Sequence, residues 1–260
     1  MHNATVIIGL GEMGGVFARG LLRSSHSVIP VTRSDAINDI ASSITQPQSV
    51  LICVGENDLQ TVLSGIPDSW KDRLILVQNE LLPRDWQQHS IDKPTVISVW
   101  FEKKKGQDYK VIIPSPVYGP LADTVKNSLR SLDIPCTIVP SMHQMLYELV
   151  RKNVYILTSN IAGLVVGGNV GELWQKHREL ALATANEIID IQEWLSNTTM
   201  DRGKLIDGMV EAFQGDLLHG CTGRSAPHRL KRAILFADEA GLKTPRLRQI
   251  LRDHTEAQNS

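Results

Sequence analysis

The feature that most constrains this chain is an alternation in its first third. Apolar runs at 4–10, 27–31, 49–55 ("SVLICVG") and 73–79 ("RLILVQN") are too short for helices. Residues 14–24 and "NDLQTVLSGI", to about Ile66, have helical patterning and lie between them. Strands separated by helices, at this spacing, pair in parallel through crossover connections. Pro30 cannot donate to a ladder, so the second strand occupies an edge or bulge-tolerant position. Further on, "TVISVWFE" (95–102) and "YKVIIPS" (109–115) flank a short charged glycine turn and read as a hairpin. Tyr118-Gly119-Pro120 is a turn, "LADTVKNSLRSL" an amphipathic helix and "PCTIVP" (135–140) a last strand. After Pro140 the strand signals stop. Ser141 to about Arg252 is helix-compatible, broken at Gly167-Gly168, Gly203, Gly215, Gly220–Gly223 and Gly241. Two domains are expected, an α/β domain over 1–140 and an all-α domain over 141–260.

Composition excludes several classes. With 42% hydrophobic and 21% charged residues the chain can build a packed core. A net charge of -1 argues against a nucleic-acid partner, which calls for a basic excess. The one compact basic run, Lys103–Lys105 beside Gly106, reads as a solvated turn. Cys53, Cys136 and Cys221 are odd in number and form no CxxC pair, which suits a reducing cytoplasm; the first two read as small buried hydrophobes. The chain starts straight into a strand without a basic stretch or cleavage site, so no export signal is expected. Asn153 to Gly171 holds no charged residue and approaches the length of a membrane span. Its three asparagines, Ser-Thr pair and four glycines fit a helix buried in an all-helical domain better, either as a core helix or as part of a dimer seam.

The first strand runs into Gly9-Leu10-Gly11-Glu12-Met13-Gly14 and then a helix. Glycines of this spacing are a weak signal alone, but the strand before and the helix after them are the context of a dinucleotide site. Gly9 would make the tight turn, Gly11 admit a pyrophosphate to the backbone, and Gly14 let helix and strand pack closely. The helix N-terminus offers unpaired N–H groups to phosphate. The α/β domain is therefore expected to be a Rossmann-type doubly wound sheet. An Asp or Glu ending the second strand would hold the ribose hydroxyls of NAD. This chain has Thr32, Arg33 and Ser34 instead, with the nearest acid, Asp35, past that position. A guanidinium pairs with a 2′-phosphate and the two hydroxyls add donors, so NADP(H) is the expected cofactor.

With these residues in view, "IGLGEMGGVFARGLL" resembles the start of the 6-phosphogluconate dehydrogenase-like superfamily. "LVQNE" resembles the "QNG" element of its ketopantoate (2-dehydropantoate) 2-reductase branch. "SMHQMLYELVRKNVYILTSNIAGL" is similar to the first helix of that branch's C-terminal domain, and "GNVGEL" to its "NGEL" element. The Pro-Val-Ser-Gly-Gly element of the β-hydroxyacid dehydrogenase branch is absent. The resemblance implies that Lys152 is a catalytic lysine, Asn160 a substrate-binding asparagine and Asn79 an asparagine near the nicotinamide. Hydride reduction of a ketone needs a cation or proton donor at the oxygen that gains charge, which an ammonium supplies. Positions 152, 156 and 160 share one helix face.

The departures lie mostly on the substrate side. Ile156 stands where the resemblance implies a second asparagine, Gly55 and Glu56 where it implies a lysine, and Ser225 about where it implies a glutamate. Glu172, at a helix start, reads as site residue or cap alike. His219, Cys221 and His228 match no metal-ligand spacing and have Arg224, Arg229 and Lys231 around them, so no metal is expected. The expectation is an NADPH-dependent reductase of a small 2-oxo acid or related ketone, with its site in the cleft between domains. Gly9, Leu10, Gly11, Glu12, Met13, Gly14, Thr32, Arg33, Ser34, Gly55 and Asn79 would bind the cofactor. Two alternatives stand beside it: an NADP(H)-binding protein without turnover, and a β-hydroxyacid dehydrogenase-like enzyme with a different substrate.

Overall fold

The computed structural model describes residues 4–259. The chain divides into two compact units, Met1–Glu148 and Leu149–Ser260. In the first, β1 (Ala4–Ile8), α1 (Glu12–Arg23), β2 (Ser27–Val31), α2 (Ile37–Ser43), β3 (Ser49–Ile52), α3 (Leu59–Ser64) and β4 (Leu74–Leu76) alternate as the apolar runs require. Then come α4 (Pro83–Gln87), β5 (Thr95–Ile97), β6 (Phe101–Glu102), β7 (Lys110–Val111), β8 (Ser115–Tyr118), α5 (Ala122–Arg130) and β9 (Cys136–Ile138). Among the described residues the main sheet has seven strands in the order β2-β1-β3-β4-β5-β8-β9. Every pairing in it is parallel except β5 with β8. Pro30, opposite Ile7, lies on the edge strand β2, as its missing N–H demands.

The order places β1 between β2 and β3. The chain leaves β1 toward one side and returns to pair on the other, so the carboxyl ends of β1 and β3 diverge into a crevice. Beneath it the sheet is dry: β1 and β3 are buried along their whole length. Their two polar side chains, Thr5 and Ser49, satisfy each other at 2.8 Å. The helix α1 approaches α5 so closely that a Cβ on Gly20 would collide with the Ser128 carbonyl. Trp70, Trp86 and Trp100 are each fully buried, and the Trp70 indole N–H donates to the Ile44 carbonyl at 3.0 Å.

The expected hairpin is more elaborate than its sequence. Both runs break in two. Their outer parts, β5 and β8, join the main sheet, while β6 and β7 pair as a separate two-stranded ribbon. Cys53 and Cys136 are half-buried against the core rather than fully buried. Desolvation raises the thiol of each out of its ordinary range, that of Cys136 to about 12.

The second unit is helical. Most of α6 (Met142–Val166) belongs to it, followed by α7 (Val170–Lys176), α8 (Arg178–Ser196), α9 (Arg202–Gly215), α10 (Ala226–Glu239) and α11 (Pro245–Asn259). Gly167 and Gly168 end α6 at φ of 62° and 65°, a left-handed corner that favours glycine. Gly203 does not break a helix. It lies in the first turn of α9, whose N-cap Asp201 accepts from the Lys204 amide at 3.0 Å. The charge-free stretch is core: the Asn153 amide donates to Gln192 at 2.8 Å, and the Ser159 hydroxyl to the Tyr155 carbonyl. Among the described residues no helix is long and apolar enough to cross a membrane.

Candidate functional site

A cavity of about 880 Å³ opens at the β1/β3 crevice. Its walls are Gly9, Leu10 and Gly11 after β1, Thr32 to Asp35 after β2, Cys53, Val54 and Gly55 after β3, and Asp58 with the start of α3. Two of the glycines are needed here for different reasons. Gly9 has φ of 93°, and a Cβ on it would lie 2.8 Å from the Cys53 carbonyl oxygen, so the turn has room for hydrogen alone. Gly11, at the N-cap of α1, faces open space within 4 Å, which leaves the backbone bare to a ligand. The first-turn N–H groups of α1 have no intrahelical acceptor, as at any helix start. A bare backbone at a helix N-terminus, in a crevice at a switch point, fits the diphosphate of a dinucleotide.

The far end of the cavity differs from its expected chemistry. Asp35 follows β2 by four residues, but a tight turn brings its carboxylate back: Oδ2 accepts from the Thr32 amide at 2.7 Å and from the Thr32 hydroxyl at 2.6 Å. Those bonds, the hydroxyl first, hold the Asp35 carboxyl below its usual range. Ser34 lies 2.9 Å from the Thr32 hydroxyl. With the Thr32 proton given to Asp35, the Ser34 proton goes to Thr32, so both hydroxyls are already engaged. Arg33 spans the mouth with its side chain 95% exposed, and its guanidinium is 3.3 Å from the Asp58 carboxylate. An ion pair this exposed is weak and readily exchanged.

The other expected cofactor residues have separate tasks. Gly14 is a packing position, where a Cβ would run into the Gly9 carbonyl, and Met13 packs against the core. Glu12 lines a smaller depression of about 290 Å³ with Leu10, Gly11, Gly15, Val16, Arg19 and Lys103. There Lys103 pairs with Glu12 at 3.2 Å and also donates to the Gln107 carbonyl, so its ammonium is held beside the start of α1 rather than solvated. Asn79 is half-buried in the turn after β4, outside the wall of the large cavity. Its neighbour Gln78, the first residue of the same "QNG"-like element, has a structural task. The Gln78 amide donates to the Ile52 carbonyl at 2.7 Å and to the Val54 carbonyl at 3.3 Å, fixing the loop that carries Gly55.

In the helical unit, Lys152 does not begin a helix; α6 starts at Met142 and the lysine is internal. Adjacent Arg151 anchors α6 to α9, donating to the Gly208 carbonyl at 3.1 Å and to Glu211 at 2.9 Å. Lys152, Ile156 and Asn160 are each 9% exposed, whereas Val154, Thr158 and Ile161 are sealed at 0%. The three residues of the stripe read from the sequence are thus all buried. Asn160 is engaged twice. Its amide donates to the Cys221 carbonyl at 3.1 Å, and its oxygen accepts from the Arg229 guanidinium at 2.7 Å. Burial, with the Arg229 charge adding repulsion, brings the Lys152 ammonium down to about 7. Arg229 is itself buried at 9%.

The loop that leads into α10 is stitched to the α6–α7 corner. The Cys221 amide donates to Gly168, Val170 to His219 and Gly171 to Leu217. Gly163 permits the close approach, since a Cβ there would meet Cys221 at 2.6 Å. Glu172 pairs with Lys176 at 3.0 Å, and its own amide is capped by Asn169.

No family model and no curated protein sequence matches the chain. Solved structures do. A PanE/ApbA family ketopantoate reductase from Ralstonia eutropha superposes with a TM-score of 0.69 over 99% of this chain and 100% of that one, at 12% identity. The fold is that of the ketopantoate reductases. A dimeric ketopantoate reductase from Staphylococcus aureus matches with a TM-score of 0.68 over 98% and 99% of the two chains at 15% identity. D-mandelate dehydrogenase in complex with NADH matches at 0.70 over 98% of each, at 14% identity. The α/β sheet followed by a helical part is what these proteins share with the chain.

Proposed function

We propose that the protein is an NADPH-dependent reductase of a small 2-oxo acid or related ketone, working as a cytoplasmic homodimer. The observation that carries the reading is a buried lysine inside α6, with an ammonium brought to about 7 by burial and Arg229. A proton donor balanced near neutrality suits a carbonyl oxygen that gains charge as hydride arrives. The dinucleotide would supply that hydride. Gly9, Leu10 and Gly11 would hold its diphosphate, with Gly55 on the opposite wall and Asn79 toward the nicotinamide end. Arg33 would exchange Asp58 for the 2′-phosphate. Lys152 would hold the carbonyl and deliver the proton from Nζ. Ile156 on the same stripe suits a substrate with an apolar substituent. The ketopantoate reductase and D-mandelate dehydrogenase neighbours support a 2-oxo acid or its 2-hydroxy product as the substrate class.

A second cofactor reading, NADH, is favoured by Asp35, whose carboxylate lies at the end of β2 where ribose hydroxyls would be held. Fluorescence titration with both nucleotides, followed by a panel of 2-oxo acids in an NADPH-oxidation assay, tests the proposal. Tighter NADPH binding and turnover abolished by Lys152→Ala are expected. Tight binding without turnover on any member would leave a nucleotide-binding protein and overturn the reductase reading.

A further inference from the structure

We infer that Lys103 is a positioning residue for the dinucleotide: it holds the Glu12 carboxylate aside, so that a diphosphate and not that acid takes the N-terminus of α1. The inference rests on the dinucleotide part of the reading above. It goes beyond that reading in giving a task to a residue outside the crevice wall.

Glu12 stands where an acid is least compatible with the ligand. It is the first residue of α1, directly after the N-cap Gly11. A carboxylate in a first turn is drawn to the same unpaired N–H groups and positive dipole end as a phosphate. Left to itself it would compete with the diphosphate for them and repel it. The structure shows it turned elsewhere. Leu10 and Gly11 border both the 880 Å³ crevice and the 290 Å³ depression, whereas Glu12 borders the depression alone. On that side its Oε2 meets the Lys103 ammonium at 3.2 Å, its one ion pair among the described residues.

Lys103 is held for this contact. Its Nζ donates to the Lys104 carbonyl at 2.9 Å and to the Gln107 carbonyl, both in its own turn, and its side chain is 19% exposed. An ammonium with two of its three N–H groups engaged by backbone presents its charge at a fixed place. Lys104 shows the contrast: it is 61% exposed and pairs with Glu102 of its own ribbon. The ribbon itself does not need the Glu12 pair to stay on α1. Phe101 of β6 packs on Phe17 of α1 with ring centroids 6.0 Å apart, both buried. Tyr109, just before β7, lies under the Arg19 guanidinium at 5.2 Å. Aromatic packing fastens the two elements, while an ion pair with a half-exposed partner adds little stability. The effect of Lys103 therefore falls on the charge at the helix start and not on the fold.

Fluorescence titration with NADPH and with NADH, at low and at high ionic strength, tests this on Lys103→Met with and without Glu12→Gln. Lys103→Met should weaken both nucleotides alike, since the diphosphate is common to them. The loss should be roughly 5- to 10-fold at low salt and smaller at high salt, with the melting temperature little changed. In the Glu12→Gln background the same lysine substitution should change affinity less than about 2-fold, because the acid it restrains is gone. Lys103→Arg, which keeps the charge, should retain most of the wild-type affinity. Unchanged affinity in Lys103→Met overturns the inference. Equal loss in both backgrounds also overturns it, since the lysine would then act on the ligand directly. A melting temperature that falls together with affinity and is not rescued by Glu12→Gln marks a structural residue and overturns it as well. The expected pattern in a protein that reduces nothing would sink the reductase reading and keep the inference. A wild-type protein that binds neither nucleotide would sink the dinucleotide reading, and the inference with it.

Discussion

Replacing Lys152 by methionine should make the protein more stable, and the gain should depend on pH in one direction. Methionine approximates the lysine stem and removes the ammonium. The native group titrates near 7 and the unfolded one near 10.5. Below pH 7 both states carry the proton, and the native state bears the full cost of a buried charge. At about 1.4 kcal/mol per pH unit, the interval from 10.5 to 7 corresponds to an upper limit of about 5 kcal/mol. Between the two values the unfolded state binds more protons, so wild-type stability rises with pH and the penalty fades toward pH 10.5. Urea denaturation of both proteins at several pH values reads the difference directly. The advantage of Lys152→Met should be largest at pH 6 to 7 and shrink by about 2 kcal/mol between pH 7 and 9. A constant difference across that range would mean that the lysine titrates normally, and the argument for a proton donor poised near neutrality would fail. The same folded value requires kcat/KM for carbonyl reduction to fall as pH rises through about 7, since the donor must be protonated.

Two further outcomes follow from the cofactor crevice. Arg33→Gln should weaken NADPH binding roughly 10- to 100-fold, the scale of a charge-assisted contact to phosphate, and leave NADH nearly unchanged, while Asp35→Asn shifts preference toward NADPH; titration of both nucleotides on both variants checks this. Gly9→Ala, which forces a Cβ against the Cys53 carbonyl at a φ of 93°, should cost on the order of 1–3 kcal/mol in thermal or urea unfolding and lose dinucleotide binding.

How much of this could be read beforehand depended on whether a residue's role is local. The alternating sheet, the glycine turn and the helical second half follow from periodicity, a positive φ and a helix start, all determined within a few neighbours. The turn at Asp35 is not legible in the sequence although it is local, because counting residues along an extended strand does not describe a turn. Thr32 donates to Asp35 from both its amide and its hydroxyl, which turns a carboxylate three residues on back to the end of β2. The runs 95–102 and 109–115 do pair antiparallel, β5 with β8 and β6 with β7, but alternation marks which face is buried and carries no record of the interruption that divides the pair between two sheets.

Lys152 and Arg229 show the limit most clearly. The lysine stands out because an uncharged run follows it, and it lies inside α6, which begins ten residues earlier at Met142. Arg229 gave no signal, being one of several basic residues in "GRSAPHRLKRA". What distinguishes it from Arg224 and Lys231 is burial and a bond to Asn160, 69 residues earlier in the chain. Both depend on a loop held to the α6–α7 corner by the approach that Gly163 permits. The glycine that decides where this arginine points has no charge or hydrogen-bonding side chain, so a search for chemically active residues passes over it. A substitution there would disturb the guanidinium through Cys221 and Asn160 before it touched any ligand.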